Sequence, residues 1–215
     1  MQLEILFSDD LLSVVNKPAD LPVHKNKFMP KDSDFLNKIA GKQLNKNIYN
    51  VHRLDSKTSG LIILAHTKEV SAYFENQFQQ KKINKEYLAV VFGKPLKSGT
   101  FDNDLYDKSK KKLQKALTHY TTLNSLKFND IDISLCKIIP ETGRWHQIRK
   151  HFAMNGYPII GDQKHGNRDL NKKIQNFNLS VRLMLHAVSI SFVHPETKEK
   201  QIFETKIPDD FIKFH

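Results

Sequence analysis

The chain has 215 residues, a formal charge of +11, 39% hydrophobic residues and 14 phenylalanines. That is enough apolar material for the core of one good-sized domain and too much for a disordered chain. A single cysteine, Cys136, excludes a disulfide framework and a cysteine-based zinc site, and fits a reducing compartment.

No charged stretch followed by an apolar run and a cleavage site opens the sequence, and no segment approaches the roughly 20 apolar residues of a membrane span. A cytoplasmic protein with no membrane partner is therefore expected. The positive charge favours a polyanion, and nucleic acid is the commonest large one.

In chain order, Leu3 to Phe7 and Leu11 to Val15 read as a strand hairpin broken by Asp9-Asp10, leading to a loop at Asn16-Lys17-Pro18. The lysine-rich stretch from Lys25 to Asn47 holds one short helix, Asp34 to Ile39, with Ser33 as its cap. Leu61 to Ala65 is continuously apolar and predicts a strand buried on both faces. Thr67 caps a helix from Lys68 to about Gln80 that places Val70, Phe74, Gln77 and Phe78 on one side. A strand follows at Tyr87 to Phe92.

Gly93 to Lys115 is polar and reads as an exposed loop carrying Lys108, Lys110, Lys111, Lys112 and Lys115. It suits plain solvation as well as RNA contact. Strands are expected at Ala116 to Leu123 and at Ile131 to Leu135, the latter with one wet face because it alternates. His146 to Met154 reads as a helix stopped by Gly156, followed by a turn at Pro158 to Asp162. A polar helix spans Leu170 to Phe177, and Val188, Ile190 and Phe192 return to strand. No linker or internal repeat divides the sequence, so the expectation is one α+β domain, residues 1–215, around a mainly antiparallel mixed sheet.

Two segments concentrate polar chemistry. His52-Arg53-Leu54-Asp55-Ser56-Lys57-Thr58-Ser59-Gly60 sets a carboxylate, a guanidinium and an imidazole at the end of the buried strand, where a rigid scaffold presents reactive groups. It equally suits an ordinary turn capped by Asp55. Thr142-Gly143-Arg144-Trp145-His146-Gln147-Ile148-Arg149 places Arg149 one helical turn from His146 and Trp145, with Ile148 and Phe152 pointing inward. A solvated basic helix face would look the same. A metal site is not expected: His146 and His151 are five apart, and no glutamate lies between them. His24, His52, His165, His186 and His194 are of the kind more often satisfied within a fold.

Taken together, the two segments resemble the RluA-type family of pseudouridine synthases: His-Arg-Leu-Asp with Thr-Ser-Gly, and Thr-Gly-Arg-x-His-Gln-Ile-Arg. Further matches fall in family order at Val15 to Pro18, Lys85 to Val91, Ala116 to Tyr120, Pro158 to Asp162, Leu185 to Ala187 and His194-Pro195. Within the family the chain is most similar to members that act on uridine 65 in the T-stem of tRNA. Asp20 departs from the family's usual glycine after Asn-Lys-Pro-x, although aspartate tolerates the positive φ such a turn needs. The first family strand begins at residue 3, so no additional N-terminal RNA-binding module of the S4 kind is expected.

The resemblance implies an isomerase that detaches uracil and rejoins it through carbon 5, with RNA as partner, no cofactor, no metal and a monomeric state. The base must first leave the helix. Asp55 then attacks the anomeric carbon or acts as base and electrostatic partner; both routes stay open. Removing a carboxylate from water penalises its charged form, so a cation is needed, and Arg149 matches the family's arginine, with a bidentate contact expected. Tyr87 matches the tyrosine lying against the target base. Arg53, which fills the gap of the flipped base or holds a phosphate, joins His52, Arg144, His146 and Lys17 on the substrate-binding side. Alternatives on the same scaffold are a ribosomal RNA synthase and an inactive RNA-binding or chaperone protein.

Overall fold

The computed structural model describes residues 1–25, 29–30, 32–176 and 182–214. They form two units, Met1–Lys85 with Ala187–Lys206, and Glu86–His186 with Ile207–His215. The first begins with the expected hairpin, β1 (Glu4–Ser8) against β2 (Leu12–Lys17). Asp9 closes the turn by accepting the N–H groups of Leu11 and Leu12, both at 2.8 Å.

Helix α1 (Leu36–Leu44) starts two residues later than Asp34 and runs beyond Ile39. Ser33 does not cap it. The N–H groups of Leu36 and Asn37 donate instead to the carbonyls of Pro22 (2.8 Å) and Val23 (3.1 Å), which a local cap search cannot see. β3 (Tyr49–Asn50) and β2 both pair with β4 (Ser59–Ala65), which is buried along its whole length as its apolar run requires. Thr67 accepts the N–H of Val70 at 3.3 Å and opens α2 (Lys68–Gln79). The apolar face of α2 packs Val70 and Phe74 among Leu12, Val14, Leu61 and Ile63. Phe74 is fully buried and meets Phe192 edge-on at 5.2 Å. Phe74→Ala should cost about 3–5 kcal/mol, read as a lower denaturant midpoint with an unchanged slope.

β5 (Asn84–Phe92) leads into the second unit, where β6 (Ser98–Phe101), β7 (Leu105–Asp107), β8 (Lys112–Gln114), β9 (Thr118–Phe128) and β10 (Ile131–Pro140) follow. The sheet order is β5-β10-β9-β6, antiparallel throughout, and β7 with β8 forms a separate ribbon. The segment Gly93 to Lys115 is therefore not one loop: it carries three short strands anchored by the buried Phe101 and Leu105. The five lysines stay exposed, Lys108, Lys110 and Lys111 at the ribbon's turn. Nor does β10 keep a wet face. Ile133, Ser134, Leu135 and Cys136 are all buried, and Ser134 satisfies its hydroxyl on the Gly93 carbonyl at 2.8 Å.

α3 (Gln147–Met154) starts one residue after His146. Phe152 is fully buried between Phe101 (5.1 Å) and Tyr120 (5.7 Å), which fixes the helix on the sheet. α4 (Arg168–Gln175) is capped by Asn167; Phe177, at the end of the predicted helix, lies outside the described residues. β11 (Leu185–Val193) carries the chain back to the first unit, whose sheet order is β1-β2-β4-β11 with β12 (Lys200–Glu204) on β11. α5 (Asp209–Ile212) follows. Each unit thus sets helices against a mainly antiparallel sheet, the expected α+β class. Among the described residues no helix is long and apolar enough to cross a membrane.

Candidate active site

In the first unit the chemistry sits on the loop before β4. Its shape comes from a turn in which the Thr58 N–H donates to the Asp55 carbonyl at 3.0 Å, and from Gly60. Gly60 has φ +112°, and a Cβ there would stand 2.2 Å from the Ala187 carbonyl oxygen, so only glycine fits. Lys17, expected in a loop at the substrate, ends β2 with its side chain fully buried. Its ammonium donates to the carbonyls of Pro18 (2.8 Å), Leu21 (2.9 Å) and Ser56 (3.0 Å), tying the Asp55 loop to the preceding turn. In that turn Asp20 adopts φ 64°, the left-handed conformation that glycine would take.

Asp55 is half-buried and Arg53 exposed. His52 turns inward: its Nε2 accepts the Ile63 N–H at 3.0 Å and its ring lies 5.1 Å from that of Phe78. Burial, helped by the nearby Lys85 charge, pushes it down to about 3, so the ring is neutral and fixes the loop to the strand. Burial also pulls Lys85 down to about 8.

In the second unit Arg149 is not on a solvated face. It is buried, and its guanidinium makes a fork-to-fork contact with Asp162, Nε to Oδ2 and Nη2 to Oδ1, both at 2.8 Å. Sequence reading placed Asp162 in a turn and missed this pairing. Burial alone would raise the Asp162 carboxyl; the Arg149 fork, the N–H groups of His165 and Lys164 and the Arg149 charge outweigh it and hold it at about 2. Asn171 of α4 supports the turn by accepting the Gly161 N–H at 2.9 Å.

His146 stands outside the helix with φ 54°. Its Nε2 faces Arg149 Nη1 at 3.2 Å and its Nδ1 faces His165 Nε2 at 2.8 Å. A guanidinium only donates, so His146 accepts at Nε2, carries its proton on Nδ1 and donates to His165. Burial, the largest cause, pulls His165 below its ordinary value, in keeping with a neutral acceptor. Gln147 holds the approach to the helix. Its Oε1 accepts from the Thr142 hydroxyl (2.7 Å) and the Arg144 N–H (3.0 Å), and its Nε2 donates to Leu117 O and Thr118 Oγ1, both at 2.9 Å. Arg144 is exposed, with Nε on the Lys115 carbonyl at 3.1 Å. Tyr87 is buried in β5 opposite Ile138 of β10. Among the described residues no group of three or more His, Cys, Asp or Glu could hold a metal ion.

These shifts set a pH dependence. Burial holds His186 at about 4, as it holds His52 at about 3. Both bind a proton near pH 6.5 once unfolded, so the unfolded chain gains protons that the folded one refuses. Their contribution is complete above about pH 6.5 and is lost as pH falls toward 4 and 3. The Asp162 contribution fails later, below its ordinary 3.8. Tm measured from pH 8 to 4.5 should decline below about pH 6.5, and His186→Gln should flatten that decline.

Residues 11–154 match the sequence model of a family described as RNA pseudouridylate synthase. The chain is 35% identical over 216 residues to a tRNA pseudouridine synthase C of Haemophilus ducreyi, covering 93% of this chain and 89% of the relative. It is 37% identical to that of Yersinia pestis, with 92% and 83% covered. Among solved structures it resembles Human RNA Pseudouridylate Synthase Domain Containing 4 at TM-score 0.77 and 26% identity, covering 97% of this chain and 90% of that one. With the family segments in order and nearly the whole length matched, the chain belongs to the RNA pseudouridylate synthases, isomerases acting on RNA.

Proposed function

We propose that this protein converts a uridine in the T-stem of tRNA to pseudouridine, with Asp55 as the reacting carboxylate and no cofactor. What carries the tRNA reading is the match over more than nine-tenths of the chain to relatives bearing the name tRNA pseudouridine synthase C. The target uracil leaves its stack, at a cost of a few kcal/mol. Asp55 acts at the anomeric carbon as nucleophile or as base and electrostatic partner while the C1′–N1 bond breaks. Uracil turns, and a C1′–C5 bond forms in its place, releasing Asp55 where it had attacked. Carbon 5 gives up its proton while nitrogen 1 takes one. Arg149 is the cation that the family resemblance assigns to the reaction. Its own position is held by Asp162 and by the acceptor nitrogen of His146. Tyr87 lies against the base; Arg53 and Arg144 hold the RNA. Lys17 and His52 serve by fixing the Asp55 loop, which is a role in positioning and not in direct contact.

The test is to incubate the purified protein with unmodified tRNA transcripts and with ribosomal RNA fragments, and to map pseudouridine in each. One modified T-stem uridine is expected in tRNA. Modification confined to ribosomal RNA, or none in either, would overturn the reading.

A further inference from the structure

The one tryptophan of the chain sits on the second unit's surface in an arrangement that the isomerisation chemistry does not require. Trp145 is 43% exposed, immediately before His146, the residue held in the left-handed conformation. One face of the indole stacks on the His146 ring, with centroids 3.9 Å apart and planes inclined 26°. That face being filled, the ammonium groups of Lys164 (4.4 Å from the ring centroid) and Lys150 (4.8 Å) lie over the other. The face beneath these two flexible cationic side chains is one that they can vacate.

The surroundings are basic. Burial chiefly, then the charges of Lys108 and Lys164, pull Lys150 below its ordinary value, against the opposing pull of Asp107, so Lys108 lies within electrostatic reach. Arg144 is fastened to the Lys115 carbonyl, joining this segment to the lysine-rich ribbon. A flat aromatic face flanked by two ammonium groups matches a nucleobase with a phosphate on either side.

We propose that Trp145 is a stacking platform for one unpaired nucleobase of the RNA substrate, Lys150 and Lys164 swinging off the ring onto the flanking phosphates. This rests on the reading of the protein as an RNA pseudouridine synthase and adds a recognition residue to it. The backbone supports the role: Gln147 pins the 142–146 segment, and the His146 ring backs the indole, so the platform is formed before RNA arrives.

Because the chain has no other tryptophan, its emission reports this residue alone. The wild-type protein should be titrated with an unmodified tRNA transcript and with a blunt RNA duplex, and binding followed independently by gel mobility shift. Saturable quenching by tRNA and little by the duplex is expected. Trp145→Ala should weaken tRNA binding about tenfold, the scale of one lost base–aromatic stack, while Trp145→Phe stays within a few-fold. Lys150→Ala and Lys164→Ala should each reduce the slope of log affinity against log salt by about 0.7–0.9. Unchanged emission at full binding, equal quenching by the duplex, or Trp145→Ala binding within twofold of wild type would overturn the proposal. Pseudouridine formation on the same tRNA is scored separately. Quenching without product would count against the enzymatic reading and leave the platform standing; product without quenching would do the reverse.

Discussion

Asp55→Asn should abolish pseudouridine formation while leaving tRNA affinity within a few-fold. The substitution keeps the shape of the side chain, and two of the contacts that hold the loop use other groups: the Thr58 N–H donates to the Asp55 backbone carbonyl, and Lys17 grips the Ser56 carbonyl. What is lost is a negative charge and a nucleophilic oxygen. Removing the reacting group of an enzyme lowers turnover by roughly 10⁴–10⁶-fold, and the residual rate is to be measured by tritium release or by mapping under single-turnover conditions. Activity within tenfold of wild type would remove Asp55 from the chemistry.

The second large effect is expected at Asp162. Asp162→Ala leaves the Arg149 guanidinium buried without the carboxylate that now takes two of its N–H groups, and breaking a buried pair from one side costs about 3–5 kcal/mol. For a chain of this size that is a fall in Tm of roughly 6–20 °C, at about 2–4 °C per kcal/mol. Activity should fall as well, since the cation loses its fixed direction. Arg149→Met combined with Asp162→Leu separates the two consequences: an apolar pair should restore much of the stability and none of the activity. Recovery of activity in that double variant would show that the guanidinium is structural only.

Much of this was legible from the chain. The apolar run of Leu61 to Ala65 gave β4 and the Thr67 cap gave α2, because each rests on local chemistry. The substitution of aspartate for glycine at position 20 was read as tolerable, and the residue does adopt φ 64°. The failures trace to distant contacts, to elements too short to show a period, and to a left-handed helix entry. Helix α1 is capped by the carbonyls of Pro22 and Val23, more than ten residues away. β6, β7 and β8 are three or four residues long and lie in polar sequence, too short for alternation to register. Asp162 pairs with Arg149 across thirteen residues and a turn, which no periodicity announces. A three-residue spacing put Arg149 on one helical face with His146, but His146 is not helical, so its contact with Arg149 arises from the left-handed entry to α3.

One amide therefore has a wider office than its size suggests. Gln147 fastens the start and the middle of the 142–146 segment, and from that segment one ring faces water while its neighbour leans on the hidden guanidinium. Anchorage of the exposed ring and of the contact to the hidden guanidinium thus falls to neighbouring residues of one short segment, so Gln147→Ala should disturb both together.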